Sequence, residues 1–531
     1  MNQFPSVFNH ALGPVAPGPS SSNTAAPYRI GKLVWQITGE TPAKIYAELA
    51  TSTSFARTYL GSKSDLAMIC GLLNKELNKF DITKGYKEAK KAGLEITFDT
   101  ASWEGLGTLK GCRLTVTRND GSSVIIIADS TGGGTVEILS IDGFPVSIKG
   151  DCYELLIFAK EIPDEMVKEI IQEKMTYTIT ENSASHYLLN IKSTVPFVYD
   201  EIQEQLDKYD GIILRSLTID PVHPVVCQGE NPPFQTATEM CDYCDKNDLQ
   251  LWQAAIKYES AISGWTEKQV FNHAKQLWQN CMQSIKKGLK GNFSINGIIT
   301  PKANIMAKKF NSRNSETFPL GILDTALPVA LGIMEYSNSA GIIVCIPTGG
   351  SAGIVPAAIY SGACSISGNY LNPDENLIIK AFLAAGAIGV CMAQKNNFSG
   401  GALGCQAEIG SGAAMASAAL VQMLGGTVKQ SCDAASMTIQ CLSGLICDPV
   451  AGTVQVPCIA RNLSATATAF VSANSIMAGF EAVIPLEEMC DAMITTGNII
   501  RACKGIGATT TPTGKRLAAE LTEKYNAVRK V

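Results

Sequence analysis

The apolar, glycine-rich run from Cys405 to Asn462 limits what this chain can be more than any other stretch. It reads GCQAEIGSG over 404–412, LICDPVAG over 445–452 and VQVPCIARN over 454–462. Three cysteines, Cys405, Cys447 and Cys458, each stand among small residues or beside a proline. Iron–sulfur clusters are held by cysteine thiolates, usually four. Three such ligands would leave one iron without a protein thiolate, and an open position is what lets a metal act as a Lewis acid on a bound substrate. Gly404, Cys447-Asp448-Pro449 and Pro457-Cys458 suit sharp turns at helix ends, where backbone N–H groups face anions. Buried thiols also pack as small hydrophobes. The C-x41-C-x10-C spacing matches none of the compact zinc patterns. The residues alone leave cluster ligands and buried thiols both open.

The totals narrow the class. A chain of 531 residues has room for roughly two to four domains. With 17% charged and 46% hydrophobic residues, much of it must be buried. A net charge of −5 argues against a nucleic-acid footprint. Seventeen cysteines behind a polar, proline-rich N-terminus predict a cytoplasmic, reducing setting, with thiols or metal ligands rather than disulfides. No charged residue occurs between Glu335 and Asp374, which is long enough to imitate a membrane span. Pro347, Pro356 and several glycines break it, and Asn338, Thr348 and Ser351 sit inside it. The expectation is a buried helix–loop–helix around PTGGSAG and no membrane partner.

Residues 1–30 read as a loop-rich entry in which Ser20, Ser21 or Ser22 caps a helix running through Arg29 and Leu33. Such a hydroxyl-rich helix start also suits a carboxylate. Residues 41–75 read as helices, Ala43–Ala50 being one and Asp65–Leu73 another. Cys112–Thr117 and Ser123–Asp129 read as strands joined by a hairpin turn at Asn119-Asp120-Gly121. Over 151–219 the order is strand, helix, strand, strand, helix, strand, a ferredoxin-like βαββαβ pattern. A proline-rich linker covers 220–234. From 235 to 531 the pattern is helical, with Met240–Ser263 and Thr266–Lys290 first, the latter capped by Thr266-Glu267. Cys241-x-x-Cys244 lies within the first and reads as structural, since it has no second C-x-x-C partner.

The three cysteine segments resemble the iron–sulfur-dependent L-serine dehydratases, which do not use pyridoxal phosphate. The resemblance rests on GCQ-x-E-x-G, CDP-x-x-G and VPC-x-x-RN in order. PTGGSAGIVP at 347–356, AGAIG at 385–389, NNFSGG at 396–401 and ATTTPTG at 508–514 add to it. It implies that residues 1–150 form an α/β domain similar to the allosteric-substrate-binding domain of some phosphoglycerate dehydrogenases. It implies further that 235–531 is an all-α catalytic domain in which Cys405, Cys447 and Cys458 hold a [4Fe–4S] cluster with one open iron. The unit at 151–219 resembles an ACT domain, either an amino-acid sensor or a scaffold that only dimerises. A homodimer is expected.

The family chemistry implied is loss of water from L-serine, giving aminoacrylate and then pyruvate and ammonia. Ser20, Ser21, Ser22, Asn23, Thr24, Asp65, Thr348, Gly349, Gly350, Ser351, Ser399 and Gly400 would hold the substrate's carboxylate and amine. The chain departs from the family where histidines are expected. Asn23 stands in the Ser-Ser-Ser-His-Thr position, Gly61-Ser62-Lys63-Ser64-Asp65 replaces a Gly-His-Gly-Thr-Asp element, and EGLGTLKG at 104–111 replaces a His-Pro-Asn-Thr element. None of the four histidines, His10, His186, His223 and His273, falls in these motifs. Lys63 is the replacement candidate for the base, if its site keeps the amine neutral; otherwise it is a solvated lysine at a helix start. The departures leave room for an L-cysteine desulfidase-type lyase, or for a cluster-bearing amino-acid sensor without turnover.

Overall fold

The computed structural model describes residues 4–51, 54–102, 111–228, 230–295, 298–312, 316–369, 373–395, 398–450, 453–503, 519–520 and 523. The EGLGTLKG element, apart from Gly111, and the ATTTPTG motif lie outside these residues. The chain divides into two compact units: 1–3 with 23–229, and 4–22 with 230–531.

The first unit is α/β. Its larger sheet runs in the order Glu95–Ala101, Lys44–Ala50, Cys112–Thr117, Ser123–Gly132, Thr135–Ile141, Phe144–Ile148. The first pair is parallel and the rest antiparallel. The Ala43–Ala50 stretch, expected as a helix, is the second strand of this sheet. Alanine, glutamate and leucine favour helices locally. Here Ile45, Ala47 and Leu49 alternate into the core while both edges of the strand are hydrogen-bonded, and tertiary pairing overrides the local preference. The expected 112–117 and 123–129 strands pair as a hairpin, with Gly121 in the left-handed region at the turn (φ 85°).

The 151–219 stretch forms four strands, Tyr153–Ala159, Thr176–Glu181, Tyr187–Ser193 and Ile213–Ile219, with helices Asp164–Ile170 and Tyr199–Leu206 between them. Counted in chain order, the strands lie fourth, first, third, second in an antiparallel sheet. This is the ferredoxin-like arrangement read from the order of elements. One sheet face packs its own two helices through Leu155, Ile157, Leu189 and Ile191. The other sends Leu156, Phe158, Leu188 and Ile219 into the core of the larger sheet.

The second unit is helical, and residues 4–22 are woven into it. Ser6 caps the turn Val7–Ala11 and donates to Glu259, which also accepts the Val7 N–H. Val15–Pro17 pairs with Ile342–Val344 in a two-stranded ribbon. The expected Met240–Ser263 helix is two, Ala237–Asn247 and Leu251–Ser263, parted at Asp248 in the left-handed region (φ 52°). Thr266 caps Glu267–Lys290 as expected, in a box closed by Gln269. That helix meets Leu323–Asn338 at Gly288 and Gly332, where a Cβ on either would overlap or crowd the facing backbone. Ser411–Met423 is buried along its whole length. The uncharged stretch that imitated a membrane span is broken into the end of one helix, the short strand at 342–344, a turn at Gly349–Ser351 and the helix Ile354–Ser367. Among the described residues one helix, Glu375–Ala393, is long and apolar enough to cross a membrane, and it is 78% buried.

Candidate functional site

The predicted site residues fall into two groups. Ser20, Ser21, Ser22, Thr348, Gly349, Gly350, Ser351, Ser399, Gly400 and the three cysteines belong to the helical unit; Asn23, Thr24, Lys63 and Asp65 belong to the α/β unit.

In the helical unit the loop Pro347–Ser351 is built by its own polar atoms. Ser351 Oγ donates to the Ile346 carbonyl at 2.9 Å, and Thr348 and Ser351 form a reciprocal box around the Gly349–Ser351 turn. The three serines do not cap the helix that follows. Ser21 and Ser22 lie in a separate short turn, and the Ala25–Thr38 helix starts at Thr24 without a side-chain cap. Ser21 Oγ instead accepts the Gly349 N–H at 3.3 Å. A Cβ at Gly349 would stand 2.8 Å from the Ser21 nitrogen and 3.0 Å from Ser20 Cα, so only glycine lets these backbones meet. Ser20 and Ser22 are half-buried beside the buried Ser21.

Glu408 joins this loop to the Ser399-Gly400 loop. One carboxylate oxygen accepts from Thr348 Oγ1 at 2.7 Å, the other from the Gly400 N–H at 3.1 Å. Cβ atoms at Gly350 and Gly400 would overlap the two Glu408 oxygens. Asn462, fully buried, ties in a third segment. Its Nδ2 donates to the carbonyls of Gly350 (2.7 Å) and Cys458 (2.9 Å), and its Oδ1 accepts the Gly353 N–H (3.2 Å). Gln406 holds a fourth, donating to the Leu403 and Met493 carbonyls and accepting the Gly444 N–H.

The thiols meet inside this frame. Cys405 follows Gly404, which takes a positive φ of 82°, and Cys458 begins the Cys458–Met477 helix. Hydrogen bonds with Cys447 and then Cys458, helped by the nearby Arg461 guanidinium, hold the Cys405 thiol well below its usual range against the effect of burial. The bond with Cys405, and burial, push Cys458 well above it. Arg461 also pairs with Asp448 at 2.8 Å and donates to the Ile446 carbonyl at 2.9 Å, gripping the residues on both sides of Cys447. Among the described residues no group of three or more His, Cys, Asp or Glu stands in a metal-holding arrangement. What the three thiols share is hydrogen bonding through Cys405.

In the α/β unit, Lys63 is half-buried and left-handed (φ 62°) at the start of the Ser64–Leu72 helix. Asp65, in that helix's first turn, is buried and accepts from Tyr86 Oη at 3.0 Å. Asn23 and Thr24 are buried just ahead of Ala25–Thr38. Arg29 of that helix donates to the Gly134 carbonyl at 2.6 Å, so Gly132-Gly133-Gly134, all with positive φ, form a strand turn anchored by a cation.

Glu408, Gln406, Arg461 and Asn462 were not picked out from the sequence, although all stand in the cysteine motifs. The signal available was a polar side chain inside an apolar run, which must find partners if buried. Which partners they find is a matter of tertiary contact.

Residues 246–504 match the family model described as serine dehydratase alpha chain. The chain is 33% identical over 292 residues to the probable L-serine dehydratase, alpha chain, of Bacillus subtilis, covering 54% of this chain and 95% of that protein. It is 36% identical over 279 residues to the L-serine dehydratase, alpha chain, of Peptoniphilus asaccharolyticus, covering 52% and 92%. With L-serine dehydratase 1 of Escherichia coli the identity is 32% over 274 residues, covering 51% of this chain and 59% of that protein. The span matched by the family model lies within the helical unit and holds the loops at Thr348–Ser351 and Ser399-Gly400 and the three thiols, and on that likeness the chain belongs to the serine dehydratase alpha-chain family.

Proposed function

We propose that this chain is an iron–sulfur-dependent lyase that eliminates water from L-serine to give pyruvate and ammonia. The observation that carries the reading is the convergence of Cys447 and Cys458 on Cys405 beside Arg461. The donor set fits the group. Three soft thiols lie within reach of one another, one of them biased toward the thiolate, and the half-buried Arg461 guanidinium would offset the negative charge that thiolates and sulfides would bring. In this reading Cys405, Cys447 and Cys458 hold a [4Fe–4S] cluster. Bound by these three thiolates, such a cluster would supply Lewis-acid chemistry toward the substrate hydroxyl.

The chain's own residues then bind and orient. Thr348, Gly349, Gly350, Ser351, Ser399 and Gly400 form the two loops that would receive the substrate carboxylate; the Thr348 and Ser351 hydroxyls and the Gly349 and Gly400 N–H groups shape those loops through their bonds to Glu408, Ile346 and Ser21. Glu408 keeps the two loops in register, since its carboxylate is already engaged by Thr348 and Gly400. Ser20, Ser21, Ser22, Asn23, Thr24 and Asp65 complete the substrate contacts, and Lys63 takes the Cα proton. The elimination then leaves aminoacrylate, whose tautomer hydrolyses to pyruvate and ammonia. The 151–219 unit serves as an ACT-like module and the protein works as a homodimer in the cytoplasm.

The test is anaerobic purification with iron and sulfide quantified, followed by L-serine addition with pyruvate and ammonia assayed. Iron, sulfide and matched product release support the proposal. Iron with sulfide release from L-cysteine, and no pyruvate from L-serine, replaces the substrate. Iron without turnover of either favours the amino-acid sensor, and no iron overturns the mechanism. Lys63→Met is expected to stop exchange of the serine Cα proton with solvent while iron content holds. Exchange at the wild-type rate removes Lys63 from the role.

A further inference from the structure

Outside the candidate site, among the described residues of the helical unit, sulfur also gathers around the Ala237–Asn247 helix. The Ala237–Asn247 helix carries Cys241 and Cys244, the C-x-x-C pattern noted in the sequence. The structure pairs Cys241 with neither its own motif nor the candidate cluster. Its Sγ lies 3.8 Å from Sγ of Cys432, which is 191 residues away on the Val428–Leu442 helix. Cys244 is buried, and burial pushes its thiol up to about 12. Nearby, Cys391 Sγ lies 3.9 Å from Met240 Sδ, in a wall that also holds Cys490.

The two members of the pair are unequal. Cys241 is half-buried and Cys432 is buried. The hydrogen bond with Cys432 holds the Cys241 thiol below its ordinary value, whereas the same bond and burial push Cys432 well above. A nucleophilic thiolate reachable from solvent with a resolving thiol behind it is the arrangement that thiol–disulfide exchange uses. A disulfide places its sulfurs about 2.0 Å apart, so closure brings the two sulfurs about 1.8 Å nearer, by side-chain rotation or a small helix shift.

We propose that Cys241 and Cys432 form a thiol–disulfide exchange site that is closed by small-molecule disulfides such as oxidised glutathione. The Cys241 thiolate attacks one sulfur of the disulfide RSSR. The S–S bond breaks, RS⁻ departs and takes up a proton, and a Cys241–S–S–R mixed disulfide is left. Cys432 gives up its proton and attacks Cys241 Sγ, the mixed disulfide breaks, and the second RS⁻ leaves. Two protein thiols are oxidised and one RSSR is reduced to two RSH. The product ties the Ala237–Asn247 helix to the Val428–Leu442 helix, whose C-terminal end leads to Gly444, held by Gln406, and on to Cys447.

The experiment uses the full-length chain, prepared anaerobically and equilibrated in buffers of stepped reduced-to-oxidised glutathione ratio. Remaining thiols are blocked and the digest is read by non-reducing mass spectrometry. The expected result is a peptide pair linking Cys241 to Cys432, reversed by dithiothreitol. Cys432→Ser and Cys432→Ala should each leave Cys241 carrying a stable glutathione adduct at least tenfold more abundant than in the wild type. A Cys241–Cys244 link, a Cys241 adduct that accumulates equally with Cys432 in place, or no consumption of either thiol overturns the proposal. The wild-type map decides without the variants, should these fail to fold.

Discussion

Glu408 offers the sharpest test of the frame around the candidate site. Its carboxylate accepts from Thr348 Oγ1 and from the Gly400 N–H, and so spans the two glycine loops proposed to hold the substrate carboxylate. A hydrogen bond to a charged group contributes about 1.5–3 kcal/mol. Glu408 is half-buried, so the lower end applies and the two bonds together come to about 3 kcal/mol. If that energy positions the loops for the transition state, Glu408→Ala lowers kcat/KM for L-serine by roughly 100-fold. Gly350→Ala acts on the same contact, because its Cβ would overlap the Glu408 carboxylate. Alone it should cost about tenfold by displacing that carboxylate. In the Glu408→Ala background the obstacle is gone, and Gly350→Ala should cost almost nothing further. The double-mutant cycle therefore predicts a coupling of about 1.4 kcal/mol. The assay is pyruvate release from L-serine by the four proteins at matched iron content. Losses that simply multiply to about 1000-fold, or a Glu408→Ala enzyme within threefold of wild type, would refute the reasoning.

Three further outcomes follow from the same contacts. Glu259 is fully buried, and burial raises its carboxyl from 4.5 to about 7 despite the donors Ser6 and Val7. Because the folded pKa exceeds the unfolded one, its contribution is complete below about pH 4.5 and is lost as pH rises through about 7, some 3 kcal/mol in all. With about 2.1 cal/mol/K of unfolding entropy per residue over roughly 300 residues, this is about 5 °C. The Tm of Glu259→Gln minus that of wild type should rise by that amount between pH 5 and 8.5, with His10 and His273 common to both. A difference that stays flat would show that Glu259 is not the titrating group. Cys447→Ser should lose the brown absorbance and most of the bound iron, and a protein that keeps both would remove Cys447 from the ligand set. Asn462→Leu leaves the Gly350 carbonyl and the Gly353 N–H without the partner they have now. At about 1–3 kcal/mol per orphaned group, Tm should fall by roughly 3–10 °C, and an unchanged Tm would mean that these groups find other partners.

Much of the fold was legible because it is locally encoded. The hairpin at Asn119-Asp120-Gly121, the βαββαβ order of 151–219 and the Thr266 cap each depend on residues only a few positions apart, and each appears where it was read. The family was legible too, since the cysteine motifs are short, contiguous and hold the thiols together with their supporting polar residues. What escaped the sequence depends on partners far along the chain. Ala43–Ala50 carries helix-forming residues and becomes a strand because two neighbouring strands hydrogen-bond its edges. Residues 4–22 look like a loose entry, yet Glu259 and the Ile342–Val344 strand hold them in the helical unit. The serines thought to cap a helix lie ahead of it, and Ser21 meets Gly349 instead. The roles of Glu408 and Asn462 appear only once the loops they join are brought within 3.2 Å of them. Cys241 sits three residues from Cys244 and 191 from Cys432. A C-x-x-C pattern points to the near partner. The packing of two helices points to the far one, because hydrogen bonds and thiol contacts depend on distance in space, which spacing along the chain does not specify.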